Sequence, residues 1–184
     1  MIKIEYITAN SQEHINGILE LQQKNLPQNL SKEQQQKQGF VFAKHSVNVL
    51  EKMIALEPQF IAVRDNKVVG YNLSMPKETV VFIPELAPIF IEFDRIQFEG
   101  KAISAYRYIV GGQVCVDYDC RGNGVANQLY GNMKTELTGK YEICVTAISE
   151  RNTISLNAHA KRGFQVAGKF DDGNEPWNIV VWKF

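Results

Sequence analysis

The chain has 184 residues, which is enough for one domain with a substantial hydrophobic core. Its 20 basic and 20 acidic residues give a formal net charge of zero, so the charge balance points to neither a nucleic acid nor an anionic membrane as a partner. With 45% hydrophobic and 22% charged residues, the composition is that of an ordinary globular protein.

Neither a signal peptide nor a membrane span is predicted. The segment MIKIEYITANSQEH lacks a long apolar core and a small-residue cleavage site, and no run approaches the about 18 apolar residues of a membrane helix. The three cysteines, Cys115, Cys120 and Cys144, have no Cys-x-x-Cys spacing, which favours reduced thiols over disulfides. Reduced thiols fit a cytoplasmic protein. Because the three histidines are scattered as well, we expect no bound metal.

The first part of the chain predicts one strand, three helices and a hairpin. In chain order these are a strand over 2–8, a helix that starts after Asn10 or Ser11 and ends near Pro27, a helix capped by Ser31 and Gln34 that stops at Gly39, a helix capped by Ser46, and a hairpin over 60–75. Asp65 and Asn66 suit the tight turn of that hairpin. The segment GFVFAK fits either a strand or a loop.

The second part predicts a further alternation of helices and strands. In chain order these are a helix over 84–99, a strand over 105–116, a helix over 125–137, a strand over 141–148, a helix over 152–162, and two strands over 164–170 and 178–184. The prolines and β-forming residues of the first segment also fit an extended chain. Gly111 and Gly112 interrupt the first of these strands, as at a bulge or where another group approaches closely. The whole chain, 1–184, is predicted to be a single α/β domain.

A glycine-rich turn, Arg121-Gly122-Asn123-Gly124, joins a predicted buried strand to an amphipathic helix. The first amides of a helix have no partner within the helix, and with the helix dipole they attract an anion. Glycine lets a phosphate approach the backbone closely, and Arg121 adds a cation. The turn therefore predicts a pyrophosphate site.

Three kinds of phosphate-binding site compete as an explanation of this turn. A P-loop requires Gly-Lys-Ser or Gly-Lys-Thr, which is absent, and a dinucleotide fingerprint requires a third glycine that GNGVAN lacks. The third is the acyl-coenzyme A motif Gln/Arg-x-x-Gly-x-Gly/Ala, which RGNGVA satisfies with Arg121, Gly124 and Ala126. The turn alone leaves other phosphate ligands open.

A second motif, NTISLNAHAKRGF, lies downstream in the order and spacing seen in one family. It places Asn152, Ser155, His159, Gly163 and Phe164 in register with Asn-x-x-Ser/Ala-x-x-x-Tyr/His-x-x-x-Gly-Phe. With both motifs, over about 114–164, the chain resembles the GNAT N-acetyltransferase superfamily. The earlier elements match this family only in their order.

The resemblance implies a single-domain acyl-coenzyme A N-acyltransferase (GNAT) fold, a mixed central sheet flanked by helices, with splayed central strands. It also implies direct transfer of an acetyl group from acetyl-CoA to a primary amine of a small molecule or to an exposed amino group. The cofactor-binding residues it implies are Arg121, Gly122, Asn123, Gly124, Val125 and Ala126 for the pyrophosphate, Val114, Cys115 and Val116 for the pantetheine arm, and Asn152 and Ser155 beside that arm. No metal, nucleic acid or membrane is implied, and a homodimer is left open.

The resemblance places His159 where many relatives have a tyrosine that protonates the leaving thiolate. A histidine with a pKa of about 6.5 can donate a proton to a thiolate with a pKa of about 8.5, but it could equally bond the coenzyme or cap the backbone. An amide near Val116 could stabilise the oxyanion. The general base stays open among Glu92, Asp94, Glu99, Tyr106, Tyr108 and a water chain.

Other candidate residues have weaker functional interpretations. Phe40, Phe42 and His45 are candidates for an acceptor pocket, because relatives bind acceptors with this segment. The pKa of Cys120 is expected to be lowered beside Arg121, yet direct transfer needs no acyl-cysteine. Two other functions stay open: a catalytically silent coenzyme A-binding regulatory module, and a nucleotide-binding protein of a different α/β fold.

Overall fold

Residues 3–184 are described by a computed structural model, and they contain a seven-stranded sheet and a separate two-stranded one. The strands are β1 (Glu5–Thr8), β2 (Phe60–Arg64), β3 (Lys67–Met75), β4 (Gln97–Phe98), β5 (Lys101–Ala102), β6 (Tyr108–Val116), β7 (Ile143–Ser149), β8 (Gln165–Asp171) and β9 (Pro176–Lys183). The helices are α1 (Gln12–Lys24), α2 (Lys32–Gln38), α3 (Val47–Leu56), α4 (Ala87–Arg95), α5 (Val125–Leu137) and α6 (Thr153–Ala160).

The chain divides into two compact units. Unit 1 comprises Met1–Ser74 and Gly111–Glu136, and unit 2 comprises Met75–Val110 and Leu137–Phe184. Strand β6 therefore contributes its first residues to unit 2 and its last residues to unit 1. The prediction of a single domain over 1–184 stays a prediction.

Unit 1 contains the strand order β1-β2-β3-β6 with helices α1, α2, α3 and most of α5. The side chains of Ser11, Ser31 and Ser46 accept hydrogen bonds from backbone amides at the starts of α1, α2 and α3, which confirms these predicted caps. The predicted first strand is confirmed over Glu5–Thr8, and its predicted start at residue 2 lies outside the described residues.

The hairpin of β2 and β3 turns at Asp65 and Asn66, whose φ values are 50° and 60°. Two successive positive φ values are typical of the type I′ turn that matches strand twist, and Asn and Asp tolerate this conformation. The predicted hairpin is therefore confirmed together with its turn residues. Residues 39–45, which fitted a strand or a loop, form an irregular loop.

Unit 2 contains the strand order β6-β7-β9-β8 with helices α4 and α6. Strands β7 and β9 pair antiparallel along β7, which confirms the strand predicted over 141–148, and β7 is buried on both faces. The predicted helix over 84–99 is shorter: a 3-10 turn leads into α4, which ends at Arg95. The β4–β5 hairpin follows, and Glu99 and Gly100, with φ values of 47° and 85°, form its turn.

Strand β6 runs without a break through Gly111 and Gly112, and neither glycine has a positive φ. Its parallel ladder with β7 comprises only Tyr108↔Ile143, Ile109↔Cys144 and Val110↔Val145. A ladder of this length on two longer strands agrees with central strands that splay. The mixed sheet flanked by helices confirms the predicted fold class.

Candidate functional site

The turn between β6 and α5 has an exposed backbone. Gly122 and Gly124 adopt φ values of 75° and 76°, in the left-handed region that favours glycine. A Cβ atom at either position would meet no atom within 4 Å. Backbone conformation, and not close packing within the chain, therefore requires these glycines, and the space in front of them is open.

Helix α5 begins directly after this turn with unpaired amide groups. Its first internal hydrogen bond runs from the Gln128 amide to the Gly124 carbonyl at 3.0 Å. Within the described residues, the amides of residues 122–127 have no hydrogen-bond acceptor. Because these donors lie at the positive end of a helix dipole, the turn can bind a phosphate group. The predicted pyrophosphate contacts from Gly122, Asn123, Gly124, Val125 and Ala126 all lie in this segment.

The Arg121 side chain contacts protein atoms in unit 1. Its guanidinium donates to the Val116 carbonyl at 2.9 Å, to the Gln38 carbonyl at 2.6 Å and to Asn25 Oδ1 at 2.8 Å. Its backbone amide donates to the Tyr118 carbonyl at 3.2 Å. The guanidinium thus fixes the start of the turn to α1 and to the end of α2, and its contact with a phosphate stays a prediction.

The predicted pantetheine strand is the end of β6. Val114 and Val116 are half-buried, whereas Cys115 is only 5% exposed. Burial raises the pKa of the Cys115 thiol to about 12, although the charge of Arg121 opposes the shift. The thiol therefore stays protonated at neutral pH, which agrees with a small buried apolar group and not with a nucleophile.

The expected lowering of the Cys120 pKa is wrong. Burial raises the pKa of this thiol, and the carboxylates of Asp117 and Asp119 raise it further, while Arg64 opposes the shift. The neighbouring Arg121 directs its guanidinium to other atoms. The cation that acts on the sulfur is therefore Arg64, distant in sequence, and not the adjacent Arg121.

The predicted residues of the second motif lie in unit 2, on α6 and at its start. The Asn152 side chain caps the helix, because its Oδ1 accepts a hydrogen bond from the Ser155 amide at 3.3 Å. The Ser155 hydroxyl lies 3.3 Å from His159 Nδ1. Part of this motif therefore builds the helix itself, and the predicted coenzyme contacts of Asn152 and Ser155 stay predictions.

His159 is a buried, neutral histidine. It is 3% exposed and packs edge-on against Phe164, with ring centroids 4.9 Å apart. Nδ1 lies 2.8 Å from the Ser155 carbonyl, which can only accept, so Nδ1 carries the proton of the neutral ring. Burial lowers the pKa of His159 to about 4. Proton donation to a thiolate would require this pKa to rise, and the catalytic role stays a prediction.

The candidate general bases are mostly engaged in other contacts within unit 2. Glu92 pairs with Arg95 at 2.9 Å, Glu99 pairs with Lys183 at 2.8 Å, and the Tyr106 hydroxyl donates to the Phe98 carbonyl at 2.7 Å. Burial raises the pKa of Tyr108 to about 12. Asp94 is exposed. The structure singles out none of them as the base.

Sequence reasoning missed a buried polar network in unit 1. Gln113, on β6, accepts hydrogen bonds at its Oε1 from Gln22 Nε2 at 2.8 Å and from the Tyr71 hydroxyl at 2.5 Å. Gln22 also contacts the ring and the backbone of His45. The available signal was one glutamine inside the otherwise apolar run IVGGQVCV, since a buried polar side chain must find partners.

Within residues 3–184, no helix is both long and apolar enough to cross a bilayer. In that part of the chain, no three or more His, Cys, Asp or Glu side chains gather where they could hold a metal ion.

No protein-family model and no curated protein matches the chain, but solved structures match it over nearly its whole length. An N-acetyltransferase from Staphylococcus aureus Mu50 has a TM-score of 0.63 at 17% identity, covering 98% of both chains. The ribosomal-protein-S18-alanine N-acetyltransferase from Escherichia coli has a TM-score of 0.60 at 11% identity, covering 98% of this chain and 94% of the other. The protein yncA from Salmonella typhimurium, with its cofactor acetyl-CoA, has a TM-score of 0.60 at 13% identity, covering 98% and 93%. At these identities the similarity shows a shared fold.

Proposed function

We propose that this chain, which has the fold of the GNAT N-acetyltransferases, transfers an acetyl group from acetyl-CoA to a primary amine. The observation that carries the proposal is the row of unpaired amides at residues 122–127, in front of open space and at the start of α5. The fold supports the type of reaction, and the turn supports the donor, because its amides fit the pyrophosphate of coenzyme A.

The amides of residues 122–126 are proposed to bind the pyrophosphate, and the backbone of residues 114–116 the pantetheine arm. Arg121 shapes this site through its bonds to Val116 and Gln38. Asn152 and Ser155 are assigned to the coenzyme by the family resemblance. When bound, acetyl-CoA supplies the activated acetyl group as a thioester.

Transfer is proposed to be direct. The amine nitrogen attacks the acetyl carbonyl carbon, and the carbon–sulfur bond breaks. The nitrogen loses one proton and the leaving sulfur gains one, each through water or a side chain. An acyl-cysteine is not needed, and burial raises the pKa of both Cys115 and Cys120. His159 remains the candidate proton donor, since a thiolate formed beside it would raise its pKa.

The acceptor is proposed to be a small-molecule amine or an exposed amino group. One of the similar structures is named a ribosomal-protein-S18-alanine N-acetyltransferase, which supports an acceptor amino group on a protein. We place the protein in the cytoplasm because its three cysteines are free, as expected in a reducing compartment.

Calorimetric titration with acetyl-CoA, followed by an assay of thiol release with a panel of amines, tests the proposal. In Gly124→Glu a carboxylate replaces open space, so we expect a loss of affinity of at least about 100-fold, or about 3 kcal/mol. Gly139→Glu is the matched control: Gly139 is exposed, has a φ of 94° and has nothing within 4 Å of its Cβ position, so the two variants share charge and backbone strain.

The outcomes separate the competing functions. Absence of acetyl-CoA binding, or equal affinity in Gly124→Glu and Gly139→Glu, would contradict the proposal. Binding without release of thiol for any amine would instead indicate the coenzyme A-binding regulatory module. Competition by ATP at the same site would indicate a nucleotide ligand.

A further inference from the structure

The loop of residues 39–45 is held at both ends within unit 1. At its start, Arg121 donates to the Gln38 carbonyl at 2.6 Å. At its end, Gln113 Nε2 donates to the Ala43 carbonyl at 2.9 Å, and the His45 amide donates to Gln22 Oε1 at 2.8 Å. A segment without helix or strand is thereby tied to the phosphate-binding turn and to β6.

These bonds fix the direction of every donor in the network. The Ala43 carbonyl can only accept, so Gln113 presents Nε2 to it and Oε1 to Gln22. The His45 amide can only donate, so Gln22 presents Oε1 to it and directs Nε2 to Gln113 and to the histidine ring. Gln22 Nε2 therefore donates to His45 Nδ1 at 2.7 Å, and the proton of the neutral imidazole lies on Nε2.

Among the described residues, none forms a hydrogen bond with the Nε2 atom of His45. His45 is only 8% exposed, and burial lowers its pKa to about 4, so the ring is neutral near pH 7. Within residues 3–184, no acceptor contacts Nε2, yet the atom is not sealed from solvent. A polar side chain that is more than nine-tenths buried, with an oriented and unused N–H donor, is suited to a ligand.

We propose that His45 recognises the acceptor substrate, its Nε2–H donating a hydrogen bond to a carbonyl or carboxylate oxygen that the acceptor carries near its amine. This inference rests on the proposed acetyl transfer. It assigns the acceptor to the class of α-amino compounds, such as amino-acid amides and peptides with a free amino terminus. His45 would then determine specificity.

The chemistry of the loop supports an oxygen-bearing, partly apolar acceptor. Residues 39–46 contain one charged residue, the exposed Lys44, and no acidic side chain that would favour a bare ammonium ion. Phe40 and Phe42 lie with their ring centroids 6.0 Å apart, and Phe42 is 46% exposed. An apolar side chain beside the amine would contact such a surface.

The lack of an evident general base also favours an α-amino acceptor. An α-amino group has a pKa of about 8, so a substantial fraction is already deprotonated near neutral pH, unlike an alkylamine with a pKa of about 10. Most of the candidate bases, including Glu92, Glu99 and Tyr106, are engaged in other contacts. An α-amino acceptor makes the smallest demand on such a base.

The test compares two acceptors that differ by one group. L-Phenylalaninamide and 2-phenylethylamine share an aromatic side chain and a primary amine, but only the first has a carbonyl oxygen. At saturating acetyl-CoA, the full chain should prefer the amide in kcat/KM by at least about tenfold. His45→Phe should lower that ratio several-fold, and the remaining preference reflects the lower amine pKa of the amide. His45→Gln, which keeps an N–H donor, should retain part of the preference that depends on His45. His14→Phe, a substitution on α1, is the control.

A second measurement covers the case in which His45→Phe does not fold. In wild-type protein labelled with ¹⁵N-histidine, the ring of His45 should show the Nε2–H tautomer, and adding L-phenylalaninamide should shift that resonance. An unchanged preference in folded His45→Phe, or an Nε2 resonance that does not move at saturating amide, overturns the inference. Failure of the proposed function would appear separately, as absence of acetyl-CoA binding in the calorimeter.

Discussion

The turn of residues 122–127 and the start of α6 contain the two motifs that suggested the family. They differ in how many of their hydrogen-bonding groups already have a partner within the chain. Within residues 3–184, no acceptor pairs with the amides of the turn, and the Cβ positions of Gly122 and Gly124 face open space. On α6, Asn152 caps the helix and His159 donates to the Ser155 carbonyl. Unsatisfied polar groups are therefore the better sign of a ligand, because a residue that matches a motif can be engaged in local structure.

The largest effect should appear in the pH dependence of stability, because both units contain a buried neutral histidine. Burial lowers the pKa of His45 and of His159 to about 4, whereas an unfolded histidine titrates near 6.5. The unfolded chain therefore binds more protons between these values, so stability is complete above about pH 6.5 and falls toward pH 4. Between about pH 7 and about pH 5, we expect each histidine to lower the free energy of unfolding by about 2 kcal/mol.

Urea unfolding at several pH values checks this prediction. His45→Gln and His159→Gln should each remove about half of the pH dependence in this range. A slope that neither substitution changes would show that both rings titrate normally. Unequal losses would show which unit holds its histidine more firmly in the neutral state.

The next effect concerns Arg121, which connects the turn to the rest of unit 1. Arg121→Met leaves the Val116 and Gln38 carbonyls and Asn25 Oδ1 without their donor, so we expect a loss of about 3 kcal/mol of stability. Arg121→Lys should lose nearly as much, because one ammonium group cannot reproduce the planar fork.

This pair of variants separates two roles. If Arg121 serves mainly as a cation for the pyrophosphate, Arg121→Lys should keep both stability and acetyl-CoA affinity. That result, measured by thermal unfolding and calorimetry, would contradict the structural role described here.

The smallest effect concerns the cap of α6. Asn152→Ala removes the acceptor of the Ser155 amide and should cost about 1 kcal/mol of stability, while Asn152→Ser should keep most of the cap. Denaturant unfolding measures both. If Asn152→Ala lowers acetyl-CoA affinity and Asn152→Ser does not, the cap is needed for binding. Equal stability of the two variants would contradict the capping role.

Much of the fold could be predicted because its signals are local. The serine caps and the Asp65-Asn66 turn are encoded by residues adjacent in sequence, and the structure confirms them. The predicted helix over 84–99 was too long because residues 97–98 pair with residues 101–102 in a hairpin. The turn of that hairpin was hard to predict, since Glu99 adopts a positive φ that its residue type does not favour.

The site was less predictable because its side chains form hydrogen bonds with residues that are distant in sequence. Arg121 forms hydrogen bonds with Gln38 and Asn25, and Gln113 forms them with Gln22 and Tyr71. These partners are too far apart in sequence to belong to one motif. The lowered pKa expected for Cys120 was wrong because burial raises the pKa of this thiol, and the cation that opposes the shift is Arg64 and not Arg121. Motifs predicted the backbone of the site, and the structure was needed to assign its side chains.

The central claim, that the amides of the turn bind the coenzyme pyrophosphate, can be tested by amide NMR. In a ¹H–¹⁵N titration of the full chain with coenzyme A, the Gly122, Gly124, Val125 and Ala126 resonances should shift progressively to saturation, as expected for donors that gain a charged acceptor. The exposed Gly139 amide should serve as an unaffected reference. Coenzyme A that saturates the protein while these four resonances stay in place, or that fails to bind, would contradict the account.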